Sequence, residues 1–102
     1  MNNTPIEILS KRGLIEKFCK KNGIIFLGVF GSFARNETKE ESDIDILAKF
    51  EHIGGLLEFI RVEYELSDLL GRKVDLVEEK GIPDLLKERI EKEIMPIYER
   101  RR

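Results

Sequence analysis

Two aspartates, Asp43 and Asp45, stand one residue apart in the run Ser42-Asp43-Ile44-Asp45-Ile46. In a strand, side chains alternate, so both carboxylates fall on one face while Ile44 and Ile46 take the other. Their Cα atoms would lie roughly 7 Å apart. Like charges at that separation repel, and no basic residue lies between them. A hard divalent cation such as magnesium relieves the repulsion, because it takes oxygen ligands and uses one or two protein carboxylates. Asp75 interrupts the apolar run Val74-Asp75-Leu76-Val77. If Val74 and Leu76 face a core, Asp75 points to the opposite face, and a neighbouring strand would bring it beside the other two acids. Three carboxylates on one sheet face suit an in-line displacement. They would hold two metal ions ~3.5–4 Å apart that clamp the attacking and leaving oxygens, or one ion plus a general base.

An isolated Asp-x-Asp is more often a solvated sheet face, since exposed acids are common. Upstream residues change that reading. Phe30-Gly31-Ser32-Phe33 places a glycine and a serine where an apolar run turns into a polar one. Glycine lets the backbone approach a ligand closely. The free N–H groups of a helix start receive phosphate oxygens. The Ser32 hydroxyl adds a donor, and Arg35 can reach a triphosphate as a fixed cation. Gly31-Ser32, ten intervening residues, then Asp43-x-Asp45 is a fixed spacing. By average residue usage it arises by chance in about one chain in a thousand of this length.

These residues need elements to hold them. Ile24 to Phe30 is seven residues with almost no polarity, which predicts a central strand covered on both faces. A short helix follows from Phe33 to about Asn36, then the polar stretch 37–42, then a second strand from Asp43 to Phe50. The link between these strands holds a single helical turn, which predicts an antiparallel pair. Thr4-Pro5-Ile6-Glu7 is a helix start with its cap, and the helix runs to about Lys21 before Asn22-Gly23, with a kink or break near Gly13. Leu56 to Leu70 carries apolar residues at 56, 57, 60, 64, 66, 69 and 70 and predicts an amphipathic helix with Tyr64 in the core. Lys73 to Val77 is a third strand. Pro83 starts a last helix with Leu86, Ile90 and Ile94 at four-residue steps, Pro96 ends it, and Ile97-Tyr98 adds a short edge strand. Strands alternating with helices around one core give an α/β or α+β class.

The chain has 102 residues, which predicts a single domain spanning 1–102. Apolar residues make up 41%, so folding is expected rather than disorder. Charged residues make up 37%, but 18 basic against 20 acidic leave a net charge of −2. Without a basic excess, nucleic acid is not the expected partner; a protein or a small phosphorylated ligand fits better. Cys19 is the one cysteine, so no internal disulfide forms, and it reads as a buried thiol. No segment reaches the ~18 apolar residues of a membrane span, and the N-terminus lacks the pattern of a signal peptide, so the expected compartment is the cytoplasm. His52, the one histidine, reads as a solvated loop residue. The acidic stretch with Glu37, Glu40 and Glu41 and the tail Arg100-Arg101-Arg102 read as solvated charge.

Residues 31–46, Gly-Ser-Phe-Ala-Arg-Asn-Glu-Thr-Lys-Glu-Glu-Ser-Asp-Ile-Asp-Ile, closely resemble the signature of the DNA polymerase β-like nucleotidyltransferase superfamily. The short length, with the neighbours Ala34-Arg35 and Ser42-Asp43, is similar to the minimal nucleotidyltransferase (MNT) group. The resemblance implies a small mixed β-sheet flanked by helices. It implies magnesium carried by Asp43 and Asp45, with Asp75 as third acid helping to activate the nucleophile. Ser32 and the backbone near Gly31 would hold the triphosphate of ATP. Many MNT proteins are antitoxins that transfer AMP to a tyrosine of a helical HEPN toxin, with which they form hetero-oligomers. Asn36 departs from the glycine that many relatives carry after the arginine, although asparagine tolerates left-handed geometry. Two rival readings are a non-catalytic antitoxin that masks its toxin, and a transferase acting on a small molecule or an RNA end. The three acids together with Ser32 favour the catalytic one.

Overall fold

The computed structural model describes residues 6–34 and 43–100. Strands β1 (Ile24–Phe30), β2 (Ile44–Phe50), β3 (Val74–Glu78) and β4 (Met95–Glu99) form one sheet in the order β3-β2-β1-β4. β1 pairs antiparallel with β2 and with β4, whereas β2 and β3 run parallel. The sheet is therefore mixed. The parallel pair exists because a whole helix, α4 (Leu56–Leu70), carries the chain back between β2 and β3. Helices α1 (Ile6–Leu9) and α2 (Arg12–Asn22) precede the sheet. The short α3 (Gly31–Ala34) follows β1, and α5 (Asp84–Glu93) leads into β4. The N-terminal helical region is thus two pieces, broken at Ser10-Lys11 with Gly13 just inside the second. Its expected start at Thr4-Pro5 lies outside the described residues.

One sheet face holds the core. Leu27 and Val29 of β1, Ile44, Ile46 and Ala48 of β2, and Val74 and Leu76 of β3 pack there against Ile15, Phe18 and Cys19 of α2 and Val62, Leu66 and Leu70 of α4. Each of the Val, Leu, Ile and Phe side chains withdrawn from water contributes about 1.5–3 kcal/mol before the cost of ordering. Cys19 is fully buried, and burial pushes its thiol up to about 12. The thiolate is the reactive form, so a thiol reagent at pH 8 is expected to leave the native protein unlabelled and to label it once denatured; native labelling at the unfolded rate would refute the burial.

The long helix α4 corrects one expectation. Tyr64 is 78% exposed and Leu57 is 85% exposed, with Leu56 and Ile60 also exposed. The helix carries nine apolar residues, Phe59 and Val62 besides those at 56, 57, 60, 64, 66, 69 and 70, and they cannot share one helical stripe. Val62, Leu66 and Leu70, at four-residue steps, take the core side, and residues 57, 60 and 64 are carried round to the opposite side.

The second sheet face is covered in part by α5. Phe26, Leu47, Ile90 and Ile94 line a cavity of about 70 Å³ between that helix and the sheet. Ile94 lies so close to β1 that a Cβ on Gly28 would come within 2.6 Å of its side chain. A side chain at 28 would force Ile94 to shift. The edge strand foreseen at Ile97-Tyr98 is β4, and it begins one residue before Pro96, whose missing N–H suits an edge. Arg100 belongs to the fixed structure: its N–H donates to the Ile25 carbonyl and its guanidinium pairs with Glu51 at 2.9 Å.

Candidate active site

The face that α5 leaves open carries the acids. In the antiparallel register of β1 and β2, Phe30 stands opposite Asp45; in the parallel register of β2 and β3, Asp45 stands opposite Asp75. The three strands thus place Phe30, Asp45 and Asp75 in one row. Ile44 and Ile46, on alternate positions, fall on the core face and are almost fully buried. This parity fixes the acids: the strand cannot shift by one residue without burying a carboxylate and exposing two isoleucines. Asp43 precedes β2 by one residue and is exposed, as is Asp75, while Asp45 is half-buried. Neighbouring strands are about 4.8 Å apart, so Asp45 and Asp75 face each other as like charges across the ladder.

Because Phe30 is the last residue of β1, the chain must turn beside Asp45. Gly31 makes that turn with φ of 75°, the left-handed region that favours glycine. A Cβ at this position would overlap Asp45 Oδ2. The turn and the carboxylate are therefore in contact, and the ten-residue spacing of the sequence becomes a direct approach of Gly31 to Asp45. Ser32 continues into α3, whose backbone is described but whose Ser32 side chain is not. Arg35, Asn36 and the acids of 37–41 lie outside the described residues.

Sequence reasoning missed several residues around this centre. Lys73 Nζ lies 3.8 Å from Asp43 Oδ2, an exposed ion pair of little energetic weight that a bound cation can replace. Ser67 Oγ accepts the Val74 N–H at 2.9 Å, and Glu63 Oε2 accepts the Leu76 N–H at 2.8 Å. β3 is an edge strand, so these outward N–H groups would otherwise be open for another strand to pair with. The two α4 side chains close the edge and grip the residues on either side of Asp75. Their signal in the sequence was four-residue spacing beside the buried stripe of α4, which reads equally as a solvated helix flank. Glu93, the last residue of α5, accepts the Gly31 N–H at 3.1 Å. His52 is exposed in the loop after β2, as expected.

Among the described residues, no three Asp, Glu, His or Cys side chains are gathered so as to hold a metal ion as they stand. The donor chemistry nonetheless fits magnesium, which takes oxygen ligands, needs only one or two protein carboxylates and completes its shell with substrate phosphates and water. No described helix is long and apolar enough to cross a membrane.

Residues 11–98 match the family model described as Nucleotidyltransferase domain. The chain is 42% identical over 85 residues to the protein adenylyltransferase MntA of Thermococcus cleftensis, covering 83% of this chain and 82% of that one. A solved structure provisionally named a minimal nucleotidyltransferase superimposes with a TM-score of 0.76 at 36% identity, covering 94% of this chain and 99% of the other. A TM-score of 0.68 at 18% identity relates it to a chain in the complex of a tri-AMPylated HEPN toxin with an MNT antitoxin from Shewanella oneidensis, covering 91% of this chain and 73% of that one. This last likeness is one of fold.

Proposed function

Since the chain belongs to the nucleotidyltransferase domain family, we propose that it is a magnesium-dependent protein adenylyltransferase that moves AMP from ATP to a tyrosine hydroxyl of a helical HEPN toxin and so acts as its antitoxin. The observation that carries this reading is the contact between the Gly31 turn and Asp45, with Asp75 opposite Asp45 on the next strand. A triphosphate seated at Gly31-Ser32 then has its reacting end beside the acids. Asp43 and Asp45 would hold magnesium, and Asp75 would share it or stand free as a base. When bound, the cation neutralises charge on the phosphates and on the leaving oxygen. Ser32 and Arg35 orient the triphosphate. Asp75 takes the proton of the acceptor hydroxyl as its oxygen bonds to the α-phosphorus, and pyrophosphate leaves with the electrons of the broken bond.

The partner is read from the MNT resemblance and from the Shewanella oneidensis pair, in which it is the HEPN toxin that carries AMP. A partner that supplies part of the acceptor site suits a hetero-oligomer. Cytoplasm is the compartment that provides ATP, magnesium and such a partner. The test is to incubate the protein with Mg-ATP and the helical product of the adjacent gene and to read intact masses. An adenylate adduct on the partner that vanishes with a chelator is expected. Neutralisation of the partner with no adduct would establish masking instead, and an adduct on a small molecule or RNA end would establish the third reading.

A further inference from the structure

We infer that Glu93 is a positioning residue for nucleotide binding, acting through the Gly31 turn. The inference rests on the nucleotide reading above and adds a residue that neither the signature run nor Asp75 includes. Its basis is a corner of the fold. Glu93 ends α5, and its Oε2 accepts the Gly31 N–H at 3.1 Å across 62 residues of sequence. The next residue, Ile94, packs on Gly28, three residues earlier in β1, where a Cβ would come within 2.6 Å of its side chain. Met95 then pairs with Val29. Consecutive residues of the α5–β4 corner therefore grip the end of β1 at 28, 29 and 31.

The grip matters because the turn has two sides. Glu93 binds Gly31 at its N–H, and Asp45 lies where a Gly31 side chain would be. The left-handed backbone of Gly31 places Ser32, and it is held between these two carboxylates. With the Gly31 N–H committed to Glu93, phosphate contact falls to Ser32 and the groups beyond it. A hydrogen bond to a charged acceptor is among the stronger polar restraints a protein uses. Losing it lets the turn relax away from Asp45, which weakens the seating of the triphosphate more than the chemistry on what remains seated.

Glu93→Ala and Glu93→Gln distinguish this from a merely structural role. Glutamine keeps an acceptor oxygen at the same reach; alanine does not. The expected result is that Glu93→Ala raises KM for Mg-ATP by at least about tenfold, the scale of a lost hydrogen bond to a charged group, with kcat within about threefold. Glu93→Gln recovers most of that loss. Amide hydrogen exchange at Gly31, measured without nucleotide, accelerates in the alanine variant and not in the glutamine one. Should Glu93→Ala fail to fold, Glu93→Asp, which withdraws the carboxylate by one methylene, is expected to behave the same way. An unchanged KM, an equal loss in both variants, or Gly31 exchange that ignores the substitution would overturn the inference. Failure of the nucleotide reading shows differently, as wild type that does not saturate with Mg-ATP. The exchange experiment then still decides whether Glu93 holds the turn.

Discussion

Asp45→Asn is expected to lower adenylyl transfer by at least about a hundredfold while leaving the protein as stable as wild type or more so. The loss follows from charge. The amide keeps the shape of the side chain but cannot offset a cation or the charge that develops on a transferring phosphoryl group. Removal of one such electrostatic contact costs about a hundredfold to a thousandfold. The stability gain follows from register. Asp45 stands opposite Asp75 on the parallel neighbour, and like charges directly opposite are destabilising. Converting one to an amide removes that term. For a domain of this size the melting temperature should rise by up to a few degrees, at about 4–8 °C per kcal/mol. Steady-state rates and thermal melts on the same two proteins check both halves. A variant that loses stability together with activity would show that Asp45 holds the fold, and one that keeps its rate would remove it from the chemistry.

The acids of this candidate site were legible in the sequence because of where they stand in their strands. Asp45 and Asp75 violate the apolar pattern of their strands at one parity, Asp43 continues that parity one residue before β2, and parity in a strand is geometry. Ile44, Ile46, Val74 and Leu76 fill the core face, so the acids between them have one place to go. The break after β1 was legible for a similar reason, because Gly-Ser follows seven nearly apolar residues. What parity could not supply was contact between distant segments. Glu93 is 62 residues from Gly31, on a helix rich in charge, and nothing local separates it from Glu88 or Glu91. Glu63 and Ser67 were hidden likewise, since their roles depend on which strand lies at the sheet edge. Tyr64 was misplaced because α4 has more apolar residues than one stripe can bury, and counting apolar positions does not say which face wins. Val62, Leu66 and Leu70 take the core side, whereas Leu56, Ile60 and Tyr64 repeat every four residues just as regularly and stay exposed, so the four-residue step alone does not choose the face.

Gly31→Ala should damage the enzyme nearly as much as Asp45→Asn, and for a reason that shows how the site is built. Alanine at φ of 75° costs roughly 1–2 kcal/mol in backbone strain. Its Cβ also overlaps Asp45 Oδ2, so either the carboxylate rotates or the turn retreats. Both outcomes separate the triphosphate from the acids. A misplacement of about 1 Å costs on the order of a hundredfold in rate, and the strain alone should lower the melting temperature by roughly 4–16 °C. Gly28→Ala is the control. Its Cβ would press on Cγ1 and Cδ1 of Ile94, in the corner that holds the turn, rather than on Asp45 itself, so it should also cost stability. Assayed well below both melting temperatures, Gly28→Ala is expected to retain far more transfer activity than Gly31→Ala. If the two lose activity in proportion to their stability, the Gly31 turn is only a structural joint. If Gly31→Ala loses far more, the close approach of backbone to carboxylate is part of how the chain holds its nucleotide.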